Sequence, residues 1–445
     1  MMRRIGPAVT VLMLALAVAG CASGGGKKSK ARRTPTVGER IPILSFETRA
    51  EAETELKDLT IVLPGPERNA DWAQPGGSLT KSGGHLALAE TPVQLWEASI
   101  GKGSSKTARL NAAPVVAGGR VFTIDILGQL RALDAKTGAM QWSQQIKIKK
   151  KNTHAAFGGG VSVADGRVYA TSGYGIAAAF DAATGKPLWE RNLGEPLRGA
   201  PTATPNRVFV VTQDNQLYAL NPANGEPAWN ITGTAEPAAI LGTGAPAVAL
   251  ETVVVGFSSG ELNALRTENG RTVWQDQLSR TGRSTAMAAL ADIDGSPVID
   301  RGRVYAIGHG GRMVALEFAT GQRVWERNFA GTSTPWPAGE FIFLVTEDGE
   351  VVCVTRTEGK VRWVQRLAQY RKPKKKKDPL VWEGPVLAGE KLWVAGSSRE
   401  LLGINPYDGK TQLTLKLPGP TYLAPVVADG VMYVLSDNGK LTAWK

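Results

Sequence analysis

This sequence predicts an all-β ring of eight four-stranded units, and three observations predict it. Seven times a pair of strands is followed by Gly, three residues and then a large apolar residue: Gly138 to Trp142, Gly185 to Trp189, Gly225 to Trp229, Gly270 to Trp274, Gly321 to Trp325, Gly359 to Trp363 and Gly409 to Leu413. The steps between these glycines are 47, 40, 45, 51, 38 and 50 residues, each the length of one propeller blade. An eighth unit is cut short. Its strands around Val426-Val427, Val431 to Val434 and Leu441 to Trp444 are present, but the chain ends at Lys445. The missing strand lies near the other end, where Leu95-Trp96-Glu97 copies Leu188-Trp189-Glu190. Pairing the two ends closes the ring and removes exposed sheet edges. The expectation is an eight-bladed β-propeller over residues 90–445, closed by pairing the N-terminal strand with the C-terminal blade.

The elements follow in chain order. Residues 1–20 read as an export signal, with Arg3 and Arg4 ahead of an apolar run from Val9 to Ala19. That run is too short for a bilayer core of about 30 Å. Val18-Ala19-Gly20-Cys21 resembles a bacterial lipobox, which implies lipidation of Cys21, with Ala22 favouring the outer membrane. Residues 21–70 read as a flexible basic tether. Gly24-Gly25-Gly26 and the charges from Lys27 to Arg33 offer little apolar surface to fold, while 41–44 and 58–63 are candidate short strands or contacts on the rim.

In seven of the eight blades the first strand is announced by Pro, at 114, 201, 246, 297, 335, 385 and 425, with Val161 in that place in the second unit. No ladder donor is needed at a strand start. Third strands carry a small residue, as at Ala132, Ala219 and Ala315, and Cys353 takes the same slot, so a buried, inert thiol is expected. The hairpin after the third strand takes Gly because the turn needs positive φ. The recurring Trp is expected to fill the space between blades rather than to hold a cofactor.

Charge and motif logic exclude several classes. The chain carries a formal +12, but three runs, at 27–33, 147–151 and 371–377, hold fifteen positive charges. The rest of the exported chain is therefore slightly acidic, not the basic stripe nucleic acid would require. His85, His154 and His309 have no ligand spacing. Asp292-Ile293-Asp294-Gly295 opens like a calcium loop and lacks its later acidic positions. No nucleophile elbow or phosphate loop is present, so no cofactor, metal or catalytic set is assigned.

Leu197-Arg198-Gly199 stands just before Pro201, and Asp292-Ile293-Asp294 just before Pro297. Arg198 and Asp294 are each three residues ahead of their proline, so both lie on connections from an outermost strand to the next innermost strand, on one face of the disc. An apolar residue flanked by Arg and two Asp suits a small protein-binding patch. An Arg198–Asp294 ion pair that braces the channel mouth is the alternative.

The turn Asp134-Ala135-Lys136-Thr137-Gly138 is similar to that of quinoprotein dehydrogenases, but those enzymes use an adjacent Cys pair, and none occurs here. Dehydrogenase-like activity with pyrroloquinoline quinone, or a periplasmic ligand-binding propeller, stands as the alternative function. Lipobox, basic tether and blades without a catalytic set together resemble the BamB family of outer-membrane lipoproteins of the β-barrel assembly machinery. The resemblance implies a non-catalytic scaffold, anchored by lipid on the periplasmic face of the outer membrane. It implies binding to BamA through its POTRA domains, with Leu197, Arg198, Asp292 and Asp294 contributing, and leaves contact with unfolded outer-membrane proteins open.

Overall fold

The structure is a computed structural model and describes residues 50–148, 157–235, 242–278 and 292–445. The lipobox Cys21, the basic segment 27–33, residues 41–44 and Lys149 to Lys151 lie outside the described residues. The described chain forms eight four-stranded antiparallel sheets and one two-stranded hairpin. Blade 1 takes its strands from residues 115–145, blade 2 from 159–192, blade 3 from 202–232 and blade 4 from 247–277. Blades 5, 6 and 7 follow at 298–327, 336–366 and 382–416. Blade 8 joins Gln94–Ser99 to the three C-terminal strands, with Trp96 opposite Ala443 and Glu97 opposite Thr442. Two backbone bonds between Val93 and Lys445, at 2.8 and 2.9 Å, complete the closure. The expected eight blades and their N-to-C closure are what the fold contains.

The Gly and Trp of the repeat lock neighbouring blades together. Each repeat Gly has φ between 67 and 76°, a conformation that disfavours any Cβ. Each also lies under the indole of the preceding blade. A Cβ at Gly138, 185, 225, 270, 321, 359 or 409 would stand 2.5 to 2.8 Å from Trp96, 142, 189, 229, 274, 325 or 363 respectively. Each of these indole N–H groups donates to a carbonyl of the next blade at 2.7 to 3.2 Å, as Trp96 does to Ala135 and Trp363 to Pro406. Inside its own blade the Trp sits opposite the small third-strand residue, Ala132 for Trp142 and Cys353 for Trp363. Cys353 is fully buried, and burial raises its thiol pKa well above the ordinary value. Position 413 is Leu in blade 7 because blade 8 changes chain ends between its third and fourth strands. It has no closing turn on which an indole could rest.

The expected tether ends sooner than residue 70. From Ala50 the chain is already packed on the ring: the Glu53 N–H donates to the Val361 carbonyl at 2.9 Å, Lys360 pairs with Glu55 at 2.6 Å, and Arg362 donates to the Leu59 carbonyl at 2.9 Å. These are rim contacts along the outermost strand of blade 6. The next residues have no counterpart in the sequence reading. From Asn69 to Leu86 the chain walks once around one end of the central channel and meets the innermost strand of every blade in turn. Asn69 bonds Val427 and Asp429 of blade 8, and Trp72 exchanges two backbone bonds with Val116 of blade 1. The Ala73 carbonyl takes the Val163 N–H of blade 2, and the Gln74 amide bonds both Val163 and Ala203 of blade 3. Leu79 and Thr80 then accept from Val248 of blade 4 and Ile299 of blade 5, each at 2.8 Å. Gly84 accepts the Trp336 indole of blade 6, and Leu86 pairs with Leu387 of blade 7. Buried first strands would otherwise lack partners on their inner side, and this clasp supplies them.

Candidate partner-binding face and axial cavity

The connections from each fourth strand to the next first strand emerge opposite the clasp, and all four sequence-predicted residues lie there. Leu197 and Arg198 extend blade 3 past its own first strand. Leu197 bridges Thr212, and the Arg198 N–H donates to the Val211 carbonyl at 2.8 Å. Asp292 accepts the His309 N–H on its backbone carbonyl at 2.8 Å. The guanidinium of Arg198 then crosses to the second connection. It donates to Asp294 at 2.9 Å, to the Ile293 carbonyl at 3.3 Å and to Asp292 at 3.5 Å.

The geometry corrects one expectation. An exposed patch with Leu197 as its anchor is not formed in the isolated chain: Leu197 is fully buried against Trp189 and Val208, and Arg198, Asp292 and Asp294 are 2, 0 and 5 % exposed. The reason is the loop between them. At Gly242 a Cβ would fall on the Asp294 carboxylate and within 2.9 Å of Arg198, so the absence of a side chain lets two connections close over one another. The bracing ion pair is therefore present, as a buried triad. What remains exposed on the same turn are Gly194 and Glu195.

Electrostatics in the triad are dominated by burial. Asp294 faces Arg198, yet its pKa rises to about 6, because desolvation and the like charge of Asp292 outweigh the guanidinium. Its Oδ2 is buried without a hydrogen-bond partner among the described residues. His309 pairs with Glu347, which holds its pKa above the usual value. At the start of the first strand of blade 7, Glu383 accepts the Ser333 hydroxyl at 2.7 Å. Burial, with Asp294 nearby, pushes it up to about 7.

Asp294 and Glu383 line one cavity of about 310 Å³ at the first-strand starts, with Trp72 of the clasp and Trp336 also in its wall. These two indoles stack at 6.1 Å. Gly242, Ser333, Glu383 and Trp336 were not singled out in the sequence, although Ser333 and Glu383 each stand two residues ahead of a blade-opening proline, one place nearer to it than Asp294. Trp72 belongs to no repeat and carried no signal. The basic run Arg371 to Lys377 forms a short hairpin on the connection that leads into the strand of Glu383, with Tyr370 opposite Pro379 and Lys372 paired with Asp378 at 2.9 Å. Among the described residues no group of three or more His, Cys, Asp or Glu could hold a metal ion, and no helix is long and apolar enough to cross a membrane.

Comparison with known proteins places this geometry. Residues 127–365 and 370–445 match the family described as outer membrane protein assembly factor BamB. Proteins of that name from Vibrio cholerae and Escherichia coli are 36 and 29 % identical, over 58 and 78 % of this chain and 66 and 88 % of their own. A third, from Moranella endobia, is 27 % identical over 79 % of this chain and 90 % of its own. Among solved structures, BamB from Moraxella catarrhalis superposes with a TM-score of 0.69 at 19 % identity, covering 80 % of this chain and all of that one. A quinohemoprotein alcohol dehydrogenase from Comamonas testosteroni reaches 0.66 at 13 %, over 85 and 81 %. At such identities the two superpositions establish the ring fold alone.

Proposed function

The chain belongs to the BamB family of outer membrane protein assembly factors, and from that premise we propose that it is a non-catalytic scaffold lipoprotein that binds the POTRA region of BamA and aids folding and insertion of outer-membrane proteins. Cys21 would carry the lipid and hold the disc against the periplasmic side of the outer membrane. The rigid ring presents loops; the chemistry those loops need is recognition, not bond making.

The observation that carries the reading is the convergence of Arg198, Asp292 and Asp294 from two separate connections onto one point of one face, with Leu197 beside Arg198 packed into the blade beneath. Their burial gives each a part in fixing the shape of the turns, while exposed neighbours such as Glu195 would make the contact. Breaking one partner of a buried charge network costs far more than an exposed pair would, so the face is held in one shape before it meets a partner. Preorganisation of this kind lowers the ordering cost of binding.

The test is a binding measurement between the purified protein and the POTRA region of BamA from the same organism. Glu195→Arg should weaken binding without changing the melting temperature, and Arg198→Met should weaken it while also lowering that temperature. Wild-type binding that survives both variants would move the contact to another face. A wild type that fails to bind would remove the scaffold reading.

A further inference from the structure

We propose that the axial cavity is a binding site for a primary ammonium group. The inference goes beyond the assembly-factor reading and does not depend on it. Its first support is geometric. Asp294 approaches the cavity from the connection into blade 5 and Glu383 from the first strand of blade 7, and Asp294 presents a buried Oδ2 with no partner among the described residues. A buried carboxylate oxygen left without a donor is costly, and an N–H donor that enters the cavity removes that cost.

The second support is charge. Of the two carboxylates in the wall, Asp294 pairs with Arg198, and Glu383 takes the Ser333 hydroxyl, a neutral donor. Glu383 therefore faces no paired cation among the described residues, and the wall has room for one further positive charge. An ammonium group suits it better than a divalent ion. Calcium demands six to eight oxygen ligands, and no group of three or more side chains of the metal-binding kinds exists among the described residues. An ammonium brings three donors, one of them for the open Asp294 Oδ2, and the stacked Trp72 and Trp336 offer an apolar surface to its alkyl stem. A volume of about 310 Å³ lies at the small end of ligand sites, matching one alkylammonium chain.

Two sources share this chemistry, a small alkylamine and the lysine side chain of a protein partner. Calorimetry on the full-length protein in non-ionic detergent separates them, with n-butylammonium chloride and the peptide acetyl-Gly-Gly-Lys-Gly-Gly-amide as probes. The chain carries a net +12, so diffuse attraction of cations is weak and a saturable signal reports a built site. Saturable binding of either probe, lowered at least tenfold by Glu383→Gln, is expected. Binding of butylammonium alone identifies a small amine, binding of the peptide alone a polypeptide partner, and both support the site. Silence from both probes, or undiminished binding in Glu383→Gln, overturns it.

A second readout needs no variant. The cavity groups that titrate are Asp294 and Glu383, with Asp292, Arg198 and the His309–Glu347 pair around them. A bound cation stabilises the ionised carboxyls, so binding at pH 6.5 should release protons, seen as a heat that differs between phosphate and MES, two buffers that contain no primary amine. Buffer-independent heat would contradict the assignment.

Discussion

Lys81 has no exposed surface, and its Nζ donates to the Thr202 hydroxyl at 3.2 Å. Burial lowers its pKa to about 7. The unfolded chain holds that proton up to the ordinary lysine value near 10.5, so between pH 7 and 10.5 unfolding takes up a proton and stability rises with pH. Lys81→Met keeps the stem and removes the charge, and Thr202 still donates to Pro246 at 2.6 Å. It should stabilise the protein by roughly 2–4 kcal/mol at pH 7 and flatten the rise toward pH 10, read from melting curves across that range. Glu383 has the opposite sign. Its folded pKa near 7 exceeds the unfolded value, so the folded state holds the extra proton and stability falls as pH rises from about 4.5 to 7. Glu383→Gln should match wild type at pH 4.5 and exceed it at pH 8 by on the order of 1–3 kcal/mol. Neither burial was legible in the sequence. Local composition places Arg198 and Asp294 on one face through their offset from a proline, but whether a loop lies over them depends on Gly242, in a connection with no repeat signature.

Between residue and ring stands the blade lock of one Trp on the Gly of the next turn. Trp325 is 8 % exposed, lies tilted against Tyr305 with centroids 6.2 Å apart, and donates to the Arg356 carbonyl at 2.9 Å. Trp325→Ala should cost about 3–5 kcal/mol. Gly359→Ala attacks the same lock from the other side, since its Cβ would meet that indole at 2.7 Å with φ at 67°, and should cost about 1–3 kcal/mol. Equilibrium denaturation of both variants and the double mutant tests the pairing, because two mutations in one contact should cost less together than the sum of their separate effects. Strands, turns and the Trp itself were legible because each recurs at blade spacing. The clasp was not: residues 69–86 bond a different blade every few steps, so the segment has neither the alternation of a strand nor the period of a helix. Its Pro75-Gly76-Gly77 and Gly83-Gly84 read as linker. Here those glycines serve close approach, since a Cβ at Gly77 would meet the Trp72 ring at 3.3 Å.

At the scale of the whole disc, ring closure and channel closure come from adjacent pieces of chain, and truncation should separate them. Removing residues 1–49 leaves every bond described above. Removing 1–65 also strips the rim contacts on blade 6, among them the exposed Lys360–Glu55 pair, and exposed pairs contribute little, so melting should shift by only a few degrees. Removing 1–89 takes away the clasp. At least eight hydrogen bonds to the inner strands go with it, and Trp72, 4 % exposed, leaves the core. At about 0.5–1.5 kcal/mol per bond plus the lost burial, the loss is on the order of 5–10 kcal/mol, a large part of what holds a single domain folded. Removing 1–99 deletes the fourth strand of blade 8 as well, and the strand Lys440–Trp444 becomes an unpaired edge open to pairing with a second copy. Thermal melts and size-exclusion profiles of the four proteins, made without the export signal, should then show two near-native species, a third that is monomeric with a sharply lower melting temperature, and a fourth that associates. Should the third melt like the full chain, the inner strands would be satisfied by water and the clasp would be a passenger. Should the fourth remain a stable monomer, the ring would not depend on the pairing of its two ends, and Leu413 would need an explanation other than the missing turn of blade 8.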